Sequence, residues 1–274
     1  MELCISIGYL KKSPEGTLRT LEQAANICKE GGISYADYLS PVKEDNWEEL
    51  AYQDAKILSD AGITVHQSHV PFNRYSMIDE SLFYEYMLRS VEAANILGAT
   101  YLVIHGDEFQ TFPRTTKDPL AWSIEFYTPM AELAQKKGIK LAFENVFEDG
   151  NGGRLRHTSV TEDLIALIDG LDAVCCWDYG HGRKQNGEKD LEEIKKIGNR
   201  LGCTHVHDNY YDKDLHVPPF FGDIDWKGHM AFLKEIGYKG MLSFEPVYGQ
   251  MPDSLAVDYL KFMVKIGNTL NFLS

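Results

Sequence analysis

A chain of 274 residues with 44% hydrophobic content is long enough for one large α/β domain or two small ones and can fill a sizeable core. Its net charge of −14 sets a field that repels nucleic-acid phosphate and anionic lipid, and the short basic stretch "RKQNGEK" (183–189) does not offset it, so neither nucleic acid nor a membrane is expected as a partner. No apolar run reaches the ~18 residues of a membrane span, and the opening "MELCISIGYL" has no basic n-region of a secretory signal. Five cysteines (Cys4, Cys28, Cys175, Cys176, Cys203) lie in apolar segments, odd in number and without a Cys-x-x-Cys pair, which predicts reduced, buried thiols in a cytoplasmic protein.

Strand-like runs alternate with amphipathic stretches from end to end. The strands are expected at 2–7 (ELCISI), 33–39 (ISYADYL), 63–68 (ITVHQS), 100–105 (TYLVIH), 139–144 (IKLAFE), 173–178 (AVCCWD), 202–207 (GCTHVH) and 240–245 (GMLSFE). Between them, segments such as "TLRTLEQAANICKEGG" (17–32) and "DESLFYEYMLRSVEAANILG" (79–98) space apolar residues by three and four, the helical period. Gly31–Gly32, Gly62, Gly98, Gly138 and Gly237 stand where helices should stop. Eight strands alternating with eight helices, with no linker or low-complexity break, predict a single (β/α)8 barrel over residues 1–274. An open dinucleotide-binding sheet is disfavoured, because no Gly-rich turn follows the first strand.

The chemistry gathers at the strand ends. The third strand runs into His69, the fourth ends in His105, the fifth in Glu144 and the sixth in Asp178, with His181 three residues on. The seventh carries His205, His207 and Asp208, and the eighth ends in Glu245. In a barrel these ends converge on one face. Imidazoles and carboxylates brought together there stay costly to desolvate without a cation, so a divalent metal is expected. Glu144 shares a strand face with Ala142, and Asp178 with Cys176 and Val174, small neighbours suited to a barrel interior. His66 has the opposite parity to His69, and His157 and His229 fall outside the strand ends, so these three read as structural. His205 and His207 share parity, and spacing does not choose between them.

The ordered motifs "HVPFN", "VIHG", "FEN", "WDYGH", "HVHDN", "DLH", "GDIDW" and "SFEP" resemble the xylose-isomerase-like TIM-barrel superfamily, from the third strand to the eighth, about two-thirds of the chain. The superfamily includes sugar isomerases and epimerases, inosose dehydratase-like proteins and endonuclease IV. Resemblance to its ketose 3-epimerase-like members implies a metal held by Glu144, Asp178, His205 and Glu245, with His205 preferred to His207 because Asp208 and Asn209 then fall in place, and with His181 on substrate oxygens. Those epimerases carry an Arg six residues after the seventh-strand His, where this chain has Tyr211. Resemblance to endonuclease IV implies a three-metal site that would add His69, His105, His181, Asp214 and His216.

The expected function is a metal-dependent isomerase or epimerase of a sugar or sugar phosphate that abstracts a proton beside a carbonyl and passes through an enediolate. Glu144 and Glu245 end strands three places apart in an eight-strand ring, so they face each other as the two catalytic bases. His69, His105, His181, Asp214 and His216 are expected to position substrate. Mixed nitrogen and oxygen ligands favour Mn, Co or Zn, with Mg less suited to imidazole. Tyr9, Phe72, Phe109 and Trp177 are candidates to pack on a sugar's C–H faces, with helix-side or core packing the commoner role for any one of them; Arg114, Arg183 and Lys184 are candidates to meet a phosphate, with a solvated surface role the commoner one; Trp226 reads as structural. The alternatives are a multi-metal phosphoester hydrolase of the endonuclease IV kind and a polyol dehydratase-like lyase. Oligomeric state is left open, a homo-oligomer included.

Overall fold

Eight parallel strands wind round one axis: β1 (Leu3–Ser6), β2 (Tyr35–Tyr38), β3 (Thr64–His69), β4 (Tyr101–His105), β5 (Lys140–Glu144), β6 (Val174–Asp178), β7 (Leu201–His205) and β8 (Leu242–Phe244). The computed structural model describes residues 1–11, 18–72, 79–106, 119–148, 157–210, 213–245 and 252–274. Each strand pairs with its sequence neighbour, and β1 pairs with β8. Just past β7 a parallel bridge joins Val206 to Phe244, with Val206 N donating to Ser243 O and Glu245 N donating to Val206 O, so the ring is nearly closed. This is the expected (β/α)8 barrel.

Helices cover the outside: α1 (Leu21–Gly31), α2 (Trp47–Asp60), α3 (Glu80–Leu97), α4 (Pro119–Lys136), α5 (Thr161–Leu171), α6 (Tyr179–Asn186), α7 (Asp190–Ile197), α8 (Trp226–Glu235) and α9 (Ala256–Leu273). Local sequence sets their ends. Thr20 and Gln23 form a reciprocal capping box at the start of α1. Gly32 and Gly98 stop α1 and α3 in the left-handed conformation, which costs a glycine little. α1 and α9 touch through Gly31, whose hydrogen occupies the space where a Cβ would stand 2.4 Å from that of Leu260. Burying a leucine there contributes roughly 1.5–3 kcal/mol. None of the described helices is long and apolar enough to cross a membrane.

One sequence expectation needs correction, and one candidate turns out to take its commoner role. The described residues form nine α-helices rather than eight, because two follow β6. Asp178 caps α6 directly through a bond from His181 N, and Gly187, at φ 60°, turns the chain before α7 begins. Trp177 does not reach the mouth of the barrel: it alternates with Cys176 and Asp178, so its side chain points outward into the core under the helices, 1% exposed.

The barrel interior is narrow by composition. Val103, Ala142, Cys176 and Cys203 form one small-residue layer from β4 to β7. One pleat further towards the C-terminal ends, the same strands present His105, Glu144, Asp178 and His205. The register pairs His105 with Glu144 and Asp178 with His205. Thin side chains below therefore leave room for large polar ones above.

α6 approaches this layer closely at Gly180. A Cβ there would stand 1.8 Å from Cε1 of the fully buried His207. We expect Gly180→Ala to cost about 1–3 kcal/mol through overpacking. For a chain of this size that lowers Tm by roughly 2–12 °C in a calorimetric scan; an unchanged Tm would contradict the packing.

Candidate metal and catalytic site

The site is built around a carboxylate that cannot stand alone. Glu144 is 1% exposed at the end of β5. Its Oε2 lies 3.3 Å from Nε2 of His69, 3.3 Å from Nε2 of His105 and 3.2 Å from Nδ1 of His205, and its Oε1 lies 3.0 Å from Nδ1 of His181. Desolvating such a carboxylate costs several kcal/mol, and these imidazoles offset the cost. On the other side of the His205 ring, Glu245 Oε1 lies 3.6 Å from Nε2. One imidazole thus separates the two glutamates. Asp178, fully buried, lies 3.9 Å from Nδ1 of His205 and receives a bond from His181 N.

Short backbone couplings hold these groups. Asn145, next to Glu144, exchanges two bonds with Asp178: its Nδ2 donates to Asp178 O at 2.9 Å, and Asp178 N donates to its Oδ1 at 2.6 Å. The ends of β5 and β6 are tied together in this way. Beyond β7, the buried Asp208 accepts from Phe220 N, Ile224 N and Trp226 Nε1, pinning the connection that carries Asp214 and His216. Asn209 clamps the same connection, with Nδ2 on Gly180 O and Oδ1 receiving Leu215 N. Trp226 is structural, as expected.

A cavity of about 280 Å³ opens over this floor, at the small end of ligand-pocket sizes. His69, His105, Glu144, His181, Asp214, His216 and Glu245 line it, with Tyr9, Phe72, Val146 and Phe147 as apolar wall. Asp178 and His205 lie against the same groups and are buried. The fold therefore brings to one place the nine residues expected as metal ligands, bases or substrate-positioning groups. Arg183 is occupied by Asp223 through two bonds, and Lys184 lies over the Phe147 ring. Phe109, Arg114 and Tyr211 lie outside the described residues. Of the three histidines read as structural, His66 packs edge-on to Tyr101, His157 faces Asp163 and His229 faces Asp190.

Of two further site residues, His207 was named from the sequence but passed over for His205, and Asp37 was not found. His207 is fully buried, with Nε2 3.0 Å from Asp178, and its ring stacks on His216 at 3.8 Å and 12°. With His181, Asp214 and His216 it forms a second group of potential ligands. Its shared parity with His205 was the available signal. Asp37, 2% exposed in β2, has Oδ2 3.1 Å from Nε2 of His205. An acidic residue inside a strand run is unusual, and that was its trace in "ISYADYL".

The donor set fits a divalent cation. Nδ1 of His205 is buried without a hydrogen-bond partner, although carboxylate oxygens surround it. His69 directs Nδ1 at Val70 O, at 2.6 Å, and Nε2 at Glu144 Oε2, at 3.3 Å. Nitrogen and oxygen donors together suit Mn, Co or Zn.

Protonation follows the same geometry. Burial opposes ionisation of Glu144, but His205 and His105 hold its carboxyl well below the usual range. Burial also disfavours the charged form of His205, yet Glu245 and Glu144, with a bond to Asp37, raise it well above an ordinary histidine. His216 is likewise disfavoured by burial and raised overall to about 9, by its bond to Asp214 and the charge of Glu245. Its φ of 49° is an uncommon left-handed backbone for a residue with a side chain, a strain that packing must hold.

The family model described as xylose isomerase-like TIM barrel matches residues 17–266. A probable endonuclease 4 of Mesomycoplasma hyopneumoniae (strain 7448) is 24% identical over 237 residues, covering 80% of this chain and 78% of the relative. An inosose isomerase of Bacillus licheniformis is 26% identical over 164 residues, 57% of this chain and 56% of its own. Among solved structures, a D-psicose 3-epimerase with D-tagatose, from Clostridium cellulolyticum H10, superposes with a TM-score of 0.76 at 13% identity, covering 99% of both chains. At that identity the likeness is one of fold.

The His216 shift has a consequence for stability. The folded state binds this proton more tightly than the unfolded chain, whose histidines titrate near about 6.5. Its stabilisation is complete below that pH and is lost as pH rises through about 9. We expect the Tm of chelator-treated protein to fall steadily from about pH 6.5 to about pH 9.5, followed by circular dichroism. A flat or rising profile across that window would contradict the arrangement.

Proposed function

The chain belongs to the xylose isomerase-like TIM barrel family, and from that premise we infer that it is a divalent-metal-dependent isomerase or epimerase of a sugar, a sugar phosphate or a polyol-derived ketone. The observation that carries this reading is the placement of Glu144 and Glu245 on the two sides of the His205 ring, both lining one small cavity. A divalent ion held by Glu144, Asp178 and Nδ1 of His205 would supply Lewis-acid polarisation of a substrate carbonyl, and Glu245, which lies 3.6 Å from Nε2 on the other side of the ring, would join as the fourth ligand once its side chain turns towards Nδ1. The other residues have roles in positioning and proton transfer. Tyr9, Phe72 and Phe147 offer ring surface to C–H faces, while His69, His105, His181, Asp214 and His216 meet substrate oxygens.

Proton movement then follows from the two carboxylates. One glutamate removes the proton from the carbon beside the carbonyl, and the electron pair left behind delocalises as an enediolate. The other glutamate returns a proton to the opposite face, inverting that carbon. If a single glutamate does both, moving the proton to the neighbouring carbon, aldose and ketose interconvert. The imidazoles that keep Glu144 ionised hold it ready as a base near neutral pH, at some cost in basicity. Charge argues for a small-molecule partner rather than nucleic acid, since a net −14 repels phosphate backbones.

A second reading is a multi-metal phosphoester hydrolase, and one specific observation favours it. His181, His207, Asp214 and His216 place ligand atoms within 4.8 Å of one another. The far nitrogens are engaged elsewhere: His181 Nδ1 on Asn145 O, His207 Nε2 on Asp178, His216 Nδ1 on Glu245 O. Such anchoring aims the near nitrogens of His181 and His216 at Asp214, where an ion or a substrate oxygen would bind between them. A polyol dehydratase-like lyase would share the first proton abstraction and differ in losing water.

Two experiments test these readings. On a panel of free and phosphorylated ketoses and cyclic polyol ketones, solvent deuterium should enter the carbon beside the carbonyl during turnover. Glu144→Gln and Glu245→Gln should each lower kcat by about a hundredfold or more. Turnover without exchange would remove the support for two-base epimerisation. Elemental analysis should find one ion per chain, unchanged in a double variant Asp214→Ala with His216→Ala, whose loss should appear mainly in KM. Three ions per chain falling to two in that variant, with abasic-site incision by the wild type, would establish the hydrolase instead.

A further inference from the structure

His205 has two nitrogens and two sets of neighbours. Nδ1 faces Glu144 at 3.2 Å and Asp178 at 3.9 Å, and has no aligned hydrogen bond. Nε2 faces Asp37 Oδ2 at 3.1 Å in hydrogen-bonding geometry, with Glu245 Oε1 further away at 3.6 Å. A ring that binds an ion through one nitrogen must carry its proton on the other. Which nitrogen keeps the proton is decided by the acceptor that the second nitrogen meets.

We propose that Asp37 is the positioning residue of the ion site: it accepts the Nε2 proton of His205, orients the ring and presents Nδ1 as the ligand atom towards Glu144 and Asp178. This rests on the metal-site reading above. The same Oδ2 also accepts from Gln67 Nε2 at 3.2 Å, so strands β2, β3 and β7 meet at one oxygen. That oxygen already holds two donors, which makes it a poor ligand atom. Asp37, His205 and Glu245 do place ligand atoms within 4.8 Å of one another, so direct coordination by Asp37 is the competing arrangement. An ion on Nδ1 lies across the imidazole from Asp37. Its effect must therefore reach the ion through His205: loss of the acceptor frees the ring to rotate or to carry its proton on the wrong nitrogen. Partners of this kind are worth about 10–100-fold in metal affinity.

The experiment uses the full chain, stripped of metal and titrated with zinc by calorimetry, with ¹⁵N-detected histidine spectra of the zinc-loaded protein. The wild type should bind zinc and show His205 protonated on Nε2 and shifted by coordination at Nδ1. Asp37→Ala should weaken zinc binding by about a hundredfold, and Asp37→Asn, which keeps an acceptor but not the charge, by about tenfold. Either variant must retain the wild-type circular dichroism spectrum, and the asparagine form serves if the alanine form does not fold. Unchanged zinc affinity in a folded variant would overturn this inference and leave the ion site standing. Coordination through Nε2, with Asp37 as a direct ligand, would also overturn it. A wild type that binds no zinc, manganese or cobalt would overturn the ion site and this inference together.

Discussion

The molecule is organised around the burial of one negative charge. Glu144 sits at 1% exposure, and the atoms facing it are ring nitrogens from β3, β4, β7 and the start of α6. Three of those four histidines are held by a further bond: His69 by Val70 O, His181 by Asn145 O, His205 by Asp37. The carboxylate is thus paired by groups whose directions were set before it arrived. A charge is tolerated in a dry interior only under that condition, because partners that had to reorganise would not repay its desolvation.

Barrel geometry supplies the condition. Parallel strands bring eight ends to one face, and the pleat sends alternate residues inward. The inward layer of Val103, Ala142, Cys176 and Cys203 is small, so the next inward layer has room for His105, Glu144, Asp178 and His205. Side-chain bonds across the strand ends then remove residual freedom. The reciprocal pair between Asn145 and Asp178 locks β5 to β6, and Asp208 gathers the long connection after β7 onto Trp226. Motifs that look catalytic in the sequence therefore divide into groups that face the cavity and groups that hold them still.

The same floor supports two chemistries because a dense set of imidazoles and carboxylates can serve one ion and a substrate, or several ions. What separates them physically is charge. Glu144, Asp178, Glu245 and Asp214 are the carboxylates in or against the cavity among the described residues that the motifs identify. Three divalent ions would leave two positive charges over these four carboxylates for an anion or hydroxide to neutralise, whereas one ion would leave two negative charges, which a protonated His216 reduces and which disfavour a phosphoester. His207 adds a nitrogen donor to the second group without adding negative charge, so it raises the number of donors and not the charge available to offset further ions.

Much of this was legible in the sequence for a simple reason: period and position along a strand are local properties. Alternation of strand and helix predicted the barrel, and residues at strand ends predicted that His69, His105, Glu144, Asp178, His181, His205 and Glu245 would face one mouth. Parity alone already placed Ala142 beneath Glu144 and Cys176 beneath Asp178. The second helix after β6 was hidden because Asp178 serves as both site residue and helix cap. Trp177 stood as a candidate for the mouth with core packing as the commoner role, and its parity points it outward into the core. The sequence by itself determined the architecture and the kinds of donor that gather at the mouth. Only the tertiary structure decided which nitrogen of each imidazole faces which oxygen, and that Asp37 and His207 join the site. Those are contacts between residues such as Asp37 and His205, far apart along the chain, whose geometry is set by strand register and ring orientation, and neither is encoded in any local pattern.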